Sequence, residues 1–267
     1  MKLNRLTAIA CVLSVACICG CGKNEIIDLN EERVPVNYNA VYHVTAESQT
    51  SEKNIEYDNA YSVTLEGEEL VITSKVDEHW DNNKEGEDYL EGRQIVTTLS
   101  RLQTKDDAYG IPNYVEEEFY VTADETYYTK FTFEHDHSIN AGILKIKEYS
   151  KNSESGFSEE LYTLGLEEQY FDKDSLPFII SSFPEKSGVI SISSGNRNSL
   201  QAVKYEYMEK ENITVEAGEF TCNVIRLRPN TNFSVNSARI YFDTETGIPV
   251  KVVHDTSVME LKSFNFN

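Results

Sequence analysis

The sequence has few cysteines and few long apolar runs, and each shortage limits what the chain can be. Four of its five cysteines fall within the first 21 residues, so Cys222 stands alone in the remainder. A lone cysteine cannot close an internal disulfide, so we expect a fold stabilised by its core and not by cross-links. After residue 20 there is no apolar run of the roughly 20 residues that a membrane-spanning helix needs.

Positive charge is also scarce, with 24 Lys and Arg against 45 Asp and Glu and a formal net charge of −21. A chain this acidic repels phosphate backbones, so we expect no nucleic acid among its partners. The motifs G-x-S-x-G, H-E-x-x-H and C-x-x-C are absent, as is a glycine-rich phosphate loop. We therefore expect a protein that is not an enzyme and that holds neither a metal nor a cofactor.

The first 20 residues are typical of a secretory signal. Lys2 and Arg5 precede an uncharged apolar run over residues 6–18 that is too short to span a membrane. The run ends in Ile18-Cys19-Gly20-Cys21, which resembles the lipobox of bacterial lipoproteins. The resemblance implies cleavage before Cys21 and a diacylglyceryl group on its thiol, with palmitate-type chains that anchor the protein to the extracytoplasmic face of the cell membrane. The alternative is a plain signal peptide with an incidental cysteine.

The remainder divides into a lipidated cysteine with a flexible tether over residues 21–38 and a single extracytoplasmic domain over residues 39–267. From residue 40 onward, short runs of Tyr, Val, Thr, Ile and Phe are separated by Gly, Asn and Asp, which is typical of antiparallel strands. The pattern predicts a mainly β fold, either a sandwich or a curled, barrel-like sheet. The predicted strands are residues 41–48, 61–65, 70–76, 93–104, 117–122, 127–134, 143–149, 200–209, 213–215, 219–228, 238–242, 249–254 and 258–264.

Residues 158–184 break this pattern and predict one or two short helices. Ser158 before two glutamates could cap a first helix, and Asp174 or Ser175 before Pro177 could begin a second one. The second helix is apolar on most sides and must be buried, most simply against the concave face of the sheet. Its apolar residues are Leu176, Phe178, Ile179, Ile180 and Phe183.

Two short segments resemble metal sites incompletely. Residues 81–87, from Asp81 to Glu87, partly match the start of a calcium loop, but Gly92 stands where a bidentate Glu is needed, so a solvated loop within residues 77–92 is favoured. His135-Asp136-His137 places two imidazoles on one face of a strand end, and two ligands do not make a site. Cys222 lies in an apolar alternation and is favoured as a small buried hydrophobe over a nucleophile.

The C-terminal part resembles the LolA/LolB-like lipoprotein carriers and related extracytoplasmic families. The resemblance lies in Val215-x-Ala217-Gly218-x-Phe220, then in residues 240–243 (IYFD) and 247–251 (GIPVK). It implies an antiparallel sheet curled into an unclosed barrel, with helices over the open side and an apolar cavity between them. A lipid or acyl chain would then lie against Leu176, Phe178, Ile179, Ile180 and Phe183.

Two functions remain open on the sequence. The first is a non-catalytic binding module that holds an apolar ligand in the concavity of the sheet, and it predicts a cavity. The second is a structural or interaction domain of the cell envelope, whose sheet is filled by its own side chains and whose partner is an envelope protein. It predicts no cavity.

Overall fold

The structure is a computed structural model that describes residues 26–47, 55–81, 91–105, 109–122, 126–136, 139, 141–149, 156–166, 169–193, 199–229 and 237–267. The lipobox, Cys21 and the rest of the predicted signal lie outside the described residues. A chain that begins at Asn24 contains the whole described domain.

Fifteen strands in the described residues form one antiparallel sheet. They are β1 (Tyr38–Ala46), β2 (Ile55–Glu66), β3 (Glu69–Asp81), β4 (Glu91–Gln103), β5 (Pro112–Thr122), β6 (Thr126–Asp136), β7 (Ala141–Tyr149), β8 (Phe157–Gly165), β9 (Gly188–Ser193), β10 (Leu200–Tyr207), β11 (Glu211–Val215), β12 (Gly218–Pro229), β13 (Ala238–Asp243), β14 (Pro249–His254) and β15 (Ser257–Phe266). Their spatial order is β8-β7-β6-β5-β4-β3-β2-β1-β15-β14-β13-β12-β10-β9, and β11 pairs with β12.

The sheet curls around its main hydrophobic core, and the pattern of burial is clearest in β1. In β1, Tyr38, Ala40, Tyr42 and Val44 are buried in strict alternation with partly exposed residues. Such alternation turns one face of a strand to the core and the other to solvent. The sheet is not closed in the described residues, since β8 and β9 form its two edges and do not pair with each other. The predicted curled, unclosed β-sheet is confirmed.

The chain after β8 lies between these two edges. Phe171 forms a parallel bridge with Ile192 of β9, in which its N–H donates to Ser191 O and its carbonyl accepts from Ser193 N, both at 2.9 Å. The neighbouring Tyr170 hydroxyl donates to Pro112 O at the start of β5, at 3.0 Å. Residues 170 and 171 therefore connect the two sides of the open sheet.

A short helical segment then covers the concave face, and we call residues 176–183 the plug. It consists of α1 (Leu176–Ile179), the 3₁₀ helix Ile180–Ser182 and Phe183. The buried carboxylate of Asp172 stabilises the turn before α1, because its Oδ2 accepts hydrogen bonds from the N–H groups of Asp174 (3.1 Å) and Ser175 (3.2 Å). Ser175 is the N-cap and Pro177 lies in the first turn, as predicted. No helix in the described part of the chain is long and apolar enough to cross a membrane.

The predicted helix that begins at Ser158 is wrong. Residues 157–165 form β8, an edge strand paired only with β7 among the described residues, and most of its residues are exposed. An edge strand that buries neither face shows no alternation of apolar and polar residues. The pattern of glutamates and leucines in its sequence therefore predicts a helix. Two further differences are that β9 was not predicted and that β3 continues to Asp81, into the expected loop over residues 77–92.

Residues 26–37, which fall within the expected tether, contact the domain at several points. Ile27 and Val34 are buried, and the backbone of Ile27 exchanges two hydrogen bonds with the Gln169 side chain, at 2.8 and 2.9 Å. Arg33 O also accepts from Ser181 in the plug, at 2.8 Å. A Cβ added to Gly247, which has φ of +76°, would meet Arg33 O at 2.5 Å. The described part of this segment is thus not free of the domain.

Candidate functional site

The five predicted ligand-binding residues are part of the main hydrophobic core. Leu176, Phe178, Ile179, Ile180 and Phe183 are all at most 2% exposed. The Phe183 ring lies 5.3 Å from the Phe171 ring and 5.2 Å from the Tyr205 ring, measured between centroids. The plug therefore fills the concavity directly beneath it with its own side chains.

An open cavity lies next to the plug, where the concave face continues beyond Phe178. Its volume is about 250 Å³ and it is partly open to solvent. An engineered protein cavity of about 150 Å³ binds benzene, so this space can hold a molecule of that size or somewhat larger. Its described lining is Val44, Tyr57, Asn59, Tyr61, Ile72, Ser74, Val76, Gln94, Val96, Thr98, Ser100, Glu117, Lys173, Asp174, Pro177, Phe178, Val252, His254, Ser257 and Met259.

The floor of this cavity is crossed by a line of polar side chains that we call the polar row: Tyr61, Ser74, Thr98 and Glu117. They are direct cross-strand neighbours on β2, β3, β4 and β5. The hydroxyls of Ser74 and Thr98 are hydrogen-bonded at 2.7 Å. On one side the row is flanked by the apolar pair Val76 and Val96. The cavity floor is therefore amphipathic, in contrast to the apolar cavity that the resemblance implied.

Asn59 adds an unsatisfied acceptor to the same cavity. Its Nδ2 donates to the Tyr61 hydroxyl at 3.0 Å, whereas Oδ1 is buried and has no hydrogen-bond partner among the described residues. The residue as a whole is only 9% exposed. A buried amide oxygen without a donor costs about 1–3 kcal/mol, which a bound donor group would recover.

The ionisable groups give the cavity a negative character. Burial raises the pKa of the Tyr61 hydroxyl, and the charges of Asp174 and Glu117 raise it further. Burial also raises the pKa of Tyr57, to which Glu78 and Asp174 contribute by the same mechanism. The Lys173 ammonium is bound to the Asp174 carboxylate through contacts of 2.7 and 2.8 Å.

His254 lies at the edge of the cavity, and desolvation favours its neutral form by lowering its pKa. Its side chain is exposed, but the concave surroundings replace much of its bulk water, and this desolvation lowers its pKa below the ordinary value of 6.5. The charge of Asp174 opposes this shift without reversing it. His254 therefore adds a polar group to the cavity rather than a positive charge.

The other predicted sites gain no support as metal or catalytic centres. Residues 82–90 of the calcium-like segment and His137 lie outside the described residues. Within the described part of the chain, no group of three or more His, Cys, Asp or Glu could hold a metal ion. Cys222 is fully buried, and burial raises the pKa of its thiol to about 12, which confirms that it is a buried hydrophobe and not a reactive thiolate.

The sequence analysis missed the polar row and Asn59 altogether. A signal existed in β2, where Asn59 takes an inward position in the alternation that continues through Tyr61 and Val63. A polar residue at an inward position of a strand is a departure from the pattern that can mark a site.

No family model and no curated protein matches this chain. The fold is similar to the crystal structure of a β-barrel-like protein of a domain of unknown function, DUF1849, from Brucella abortus. That structure has a TM-score of 0.53 and 10% sequence identity, and the match covers 90% of this chain and 99% of that chain. At this identity the likeness concerns the fold alone.

Two further solved structures match over most of their length with a TM-score of 0.27 each. One is described as an exported protein with a YmcC-like fold from Bacteroides fragilis, with 9% identity over 86% of this chain and 96% of that chain. The other is described as a lipoprotein from Parabacteroides distasonis, with 10% identity over 92% of this chain and 100% of that chain. Neither score supports an inference about this protein, and the resemblance to the LolA/LolB-like carriers stays an expectation.

Proposed function

We propose that this protein is a lipid-anchored extracytoplasmic binding module that holds a small amphipathic molecule in the cavity beside the plug and performs no catalysis. The observation that carries the proposal is the buried Asn59 Oδ1, an acceptor without a donor, which lies in a cavity that is otherwise divided between apolar and polar walls. The lipid anchor follows from the lipobox and Cys21. The ligand differs from a long acyl chain, because the concavity under the plug is filled.

We expect 1-hexanol, used as a neutral amphipathic probe, to bind in this cavity with a dissociation constant on the order of 1 mM. Its apolar part offers about 0.8 kcal/mol for each buried CH₂, and a total of about 4 kcal/mol corresponds to that constant. Isothermal titration calorimetry on the chain from Asn24 onward measures the affinity. Replacing Val96 by Trp should abolish binding, because the indole would occupy the cavity.

The matched control is Ile95→Trp, one residue earlier on β4. Ile95 points to the other face of the sheet, because neighbouring side chains on a strand alternate between faces, and it does not line the cavity as described. Both side chains are half-buried in the native protein. Loss of binding in both variants, or in neither, would show that the cavity is not where the probe binds.

A structural or interaction domain of the envelope is the second candidate function. It is favoured by the filled concavity beneath the plug, where Phe178 and Phe183 leave no room for a ligand. Its partner would be another envelope protein. The absence of hexanol binding in the native chain would favour this candidate over the binding module.

A further inference from the structure

The inference concerns the charge of the ligand and rests on the proposed function. The described residues that line the cavity include two carboxylates, Glu117 and Asp174, and one permanent cation, Lys173. The Lys173 ammonium is held by Asp174, and the lowered pKa of His254 favours its neutral form. The ionisable lining thus carries a net negative charge.

Both carboxylates line the same cavity as the unsatisfied acceptor. Asp174 influences Tyr57, Tyr61 and His254, so its charge reaches the cavity although Lys173 is bound to it. Asn59 is joined to Tyr61 by a hydrogen bond and presents its buried Oδ1 there. Only a ligand group that donates hydrogen bonds can satisfy that oxygen, and a carboxylate cannot do so.

We propose that the ligand carries a cationic amine, whose N–H groups donate to Asn59 Oδ1 in the negative field of Asp174 and Glu117, and whose apolar part packs on Val76 and Val96. The cavity volume of about 250 Å³ exceeds the roughly 150 Å³ that hold benzene in an engineered cavity, so the ligand is a small alkyl or aryl amine and not a full-length lipid. A fatty acid of the same length is excluded by its charge. A cationic amine can donate to Asn59 Oδ1 and is also attracted by the negative charge, whereas a neutral alcohol can only donate to Asn59 Oδ1.

Three probes that share a six-carbon chain separate these possibilities. We expect hexylamine to bind the chain from Asn24 onward about tenfold more tightly than 1-hexanol at pH 7 and low salt, and hexanoate to bind more weakly than either. Salt should reduce the preference for the amine, since the field is partly open to solvent. Calorimetry under identical conditions gives the three constants.

Two isosteric variants test the assigned groups. Asn59→Asp should raise the affinity for hexylamine relative to that for hexanol by about tenfold, because it adds a negative charge with little change of shape. Glu117→Gln should weaken hexylamine by about threefold, while the control Glu118→Gln, which makes the same charge change on the other face of β5, should not. A purely structural disturbance would shift the affinities of all three probes together.

The outcomes distinguish the ligand class from the site. If hexanol binds and Val96→Trp blocks it, but hexanoate binds as tightly as hexylamine, the site stands and the amine is wrong. If Asn59→Asp does not fold, equal effects of Glu117→Gln and Glu118→Gln on hexylamine would still overturn the assignment. If none of the three probes binds, the proposed function fails together with the amine.

Discussion

Replacing Phe183 by alanine is expected to lower the free energy of unfolding by about 3–5 kcal/mol, the usual cost of removing a fully buried phenyl ring. Phe183 is 0% exposed and ends the plug, where its ring lies between those of Phe171 and Tyr205. Phe171 belongs to the segment that joins β9, and Tyr205 belongs to β10. The Phe183 ring therefore connects the plug to one side of the open sheet. When the ring is removed, the neighbouring backbone cannot easily move in to fill the resulting cavity.

Unfolding in guanidinium chloride, followed by circular dichroism, measures this loss. The comparison requires that the slope of the unfolding free energy against denaturant concentration is the same in the variant and the native protein. The control is Phe266→Ala, since Phe266 is 51% exposed at the end of β15 and should cost about 1 kcal/mol or less. A loss below 1 kcal/mol for Phe183→Ala would mean that the plug is not a packed part of the core. The concavity beneath it could then be open to a ligand after all.

Replacing Cys21 by serine is expected to move the protein completely from the membrane fraction to the soluble fraction of its host. A serine hydroxyl offers no thiol for the diacylglyceryl group, and two acyl chains at about 0.8 kcal/mol per buried CH₂ are the only anchor that the sequence predicts. Ile27 packs on the domain only six residues after Cys21, so a lipid on Cys21 would hold the domain near the membrane surface. Fractionation with immunoblotting detects the change.

Cys19→Ser is the matched control, because position 19 is the tolerant position of the lipobox and its side chain leaves with the signal. We expect this variant to stay in the membrane fraction and to retain the mass of a diacylglyceryl group on the mature chain. If Cys21→Ser stayed in the membrane fraction, or if the native protein were soluble, the lipid anchor would be wrong. The binding site would not be affected by that result.

The sequence predicts the sheet well where strands bury one face. The alternation in β1 is visible in the sequence because one side of this strand packs on the core. The same logic fails at β8, whose two faces are both largely exposed and which is a strand only because β7 pairs with it. Strand formation there depends on tertiary context, which local composition does not contain.

The site was harder to predict than the fold for a related reason. Apolar residues such as Phe178 and Phe183 show that the plug is buried, but not whether the space beside them is empty or filled. Tyr61, Ser74, Thr98 and Glu117 lie on four different strands and become neighbours only through the register of β2 to β5. That register is set by many cross-strand contacts, so no short sequence motif predicts the polar row.

We would test for a ligand by native mass spectrometry of the chain from Asn24 onward, purified from its own host. We expect a small bound molecule on the native chain and on Ile95→Trp, and its loss from Val96→Trp, whose indole would fill the cavity beside the plug. An apo mass for all three proteins, each equal to the mass calculated from its own sequence, would contradict the claim that this cavity holds a ligand.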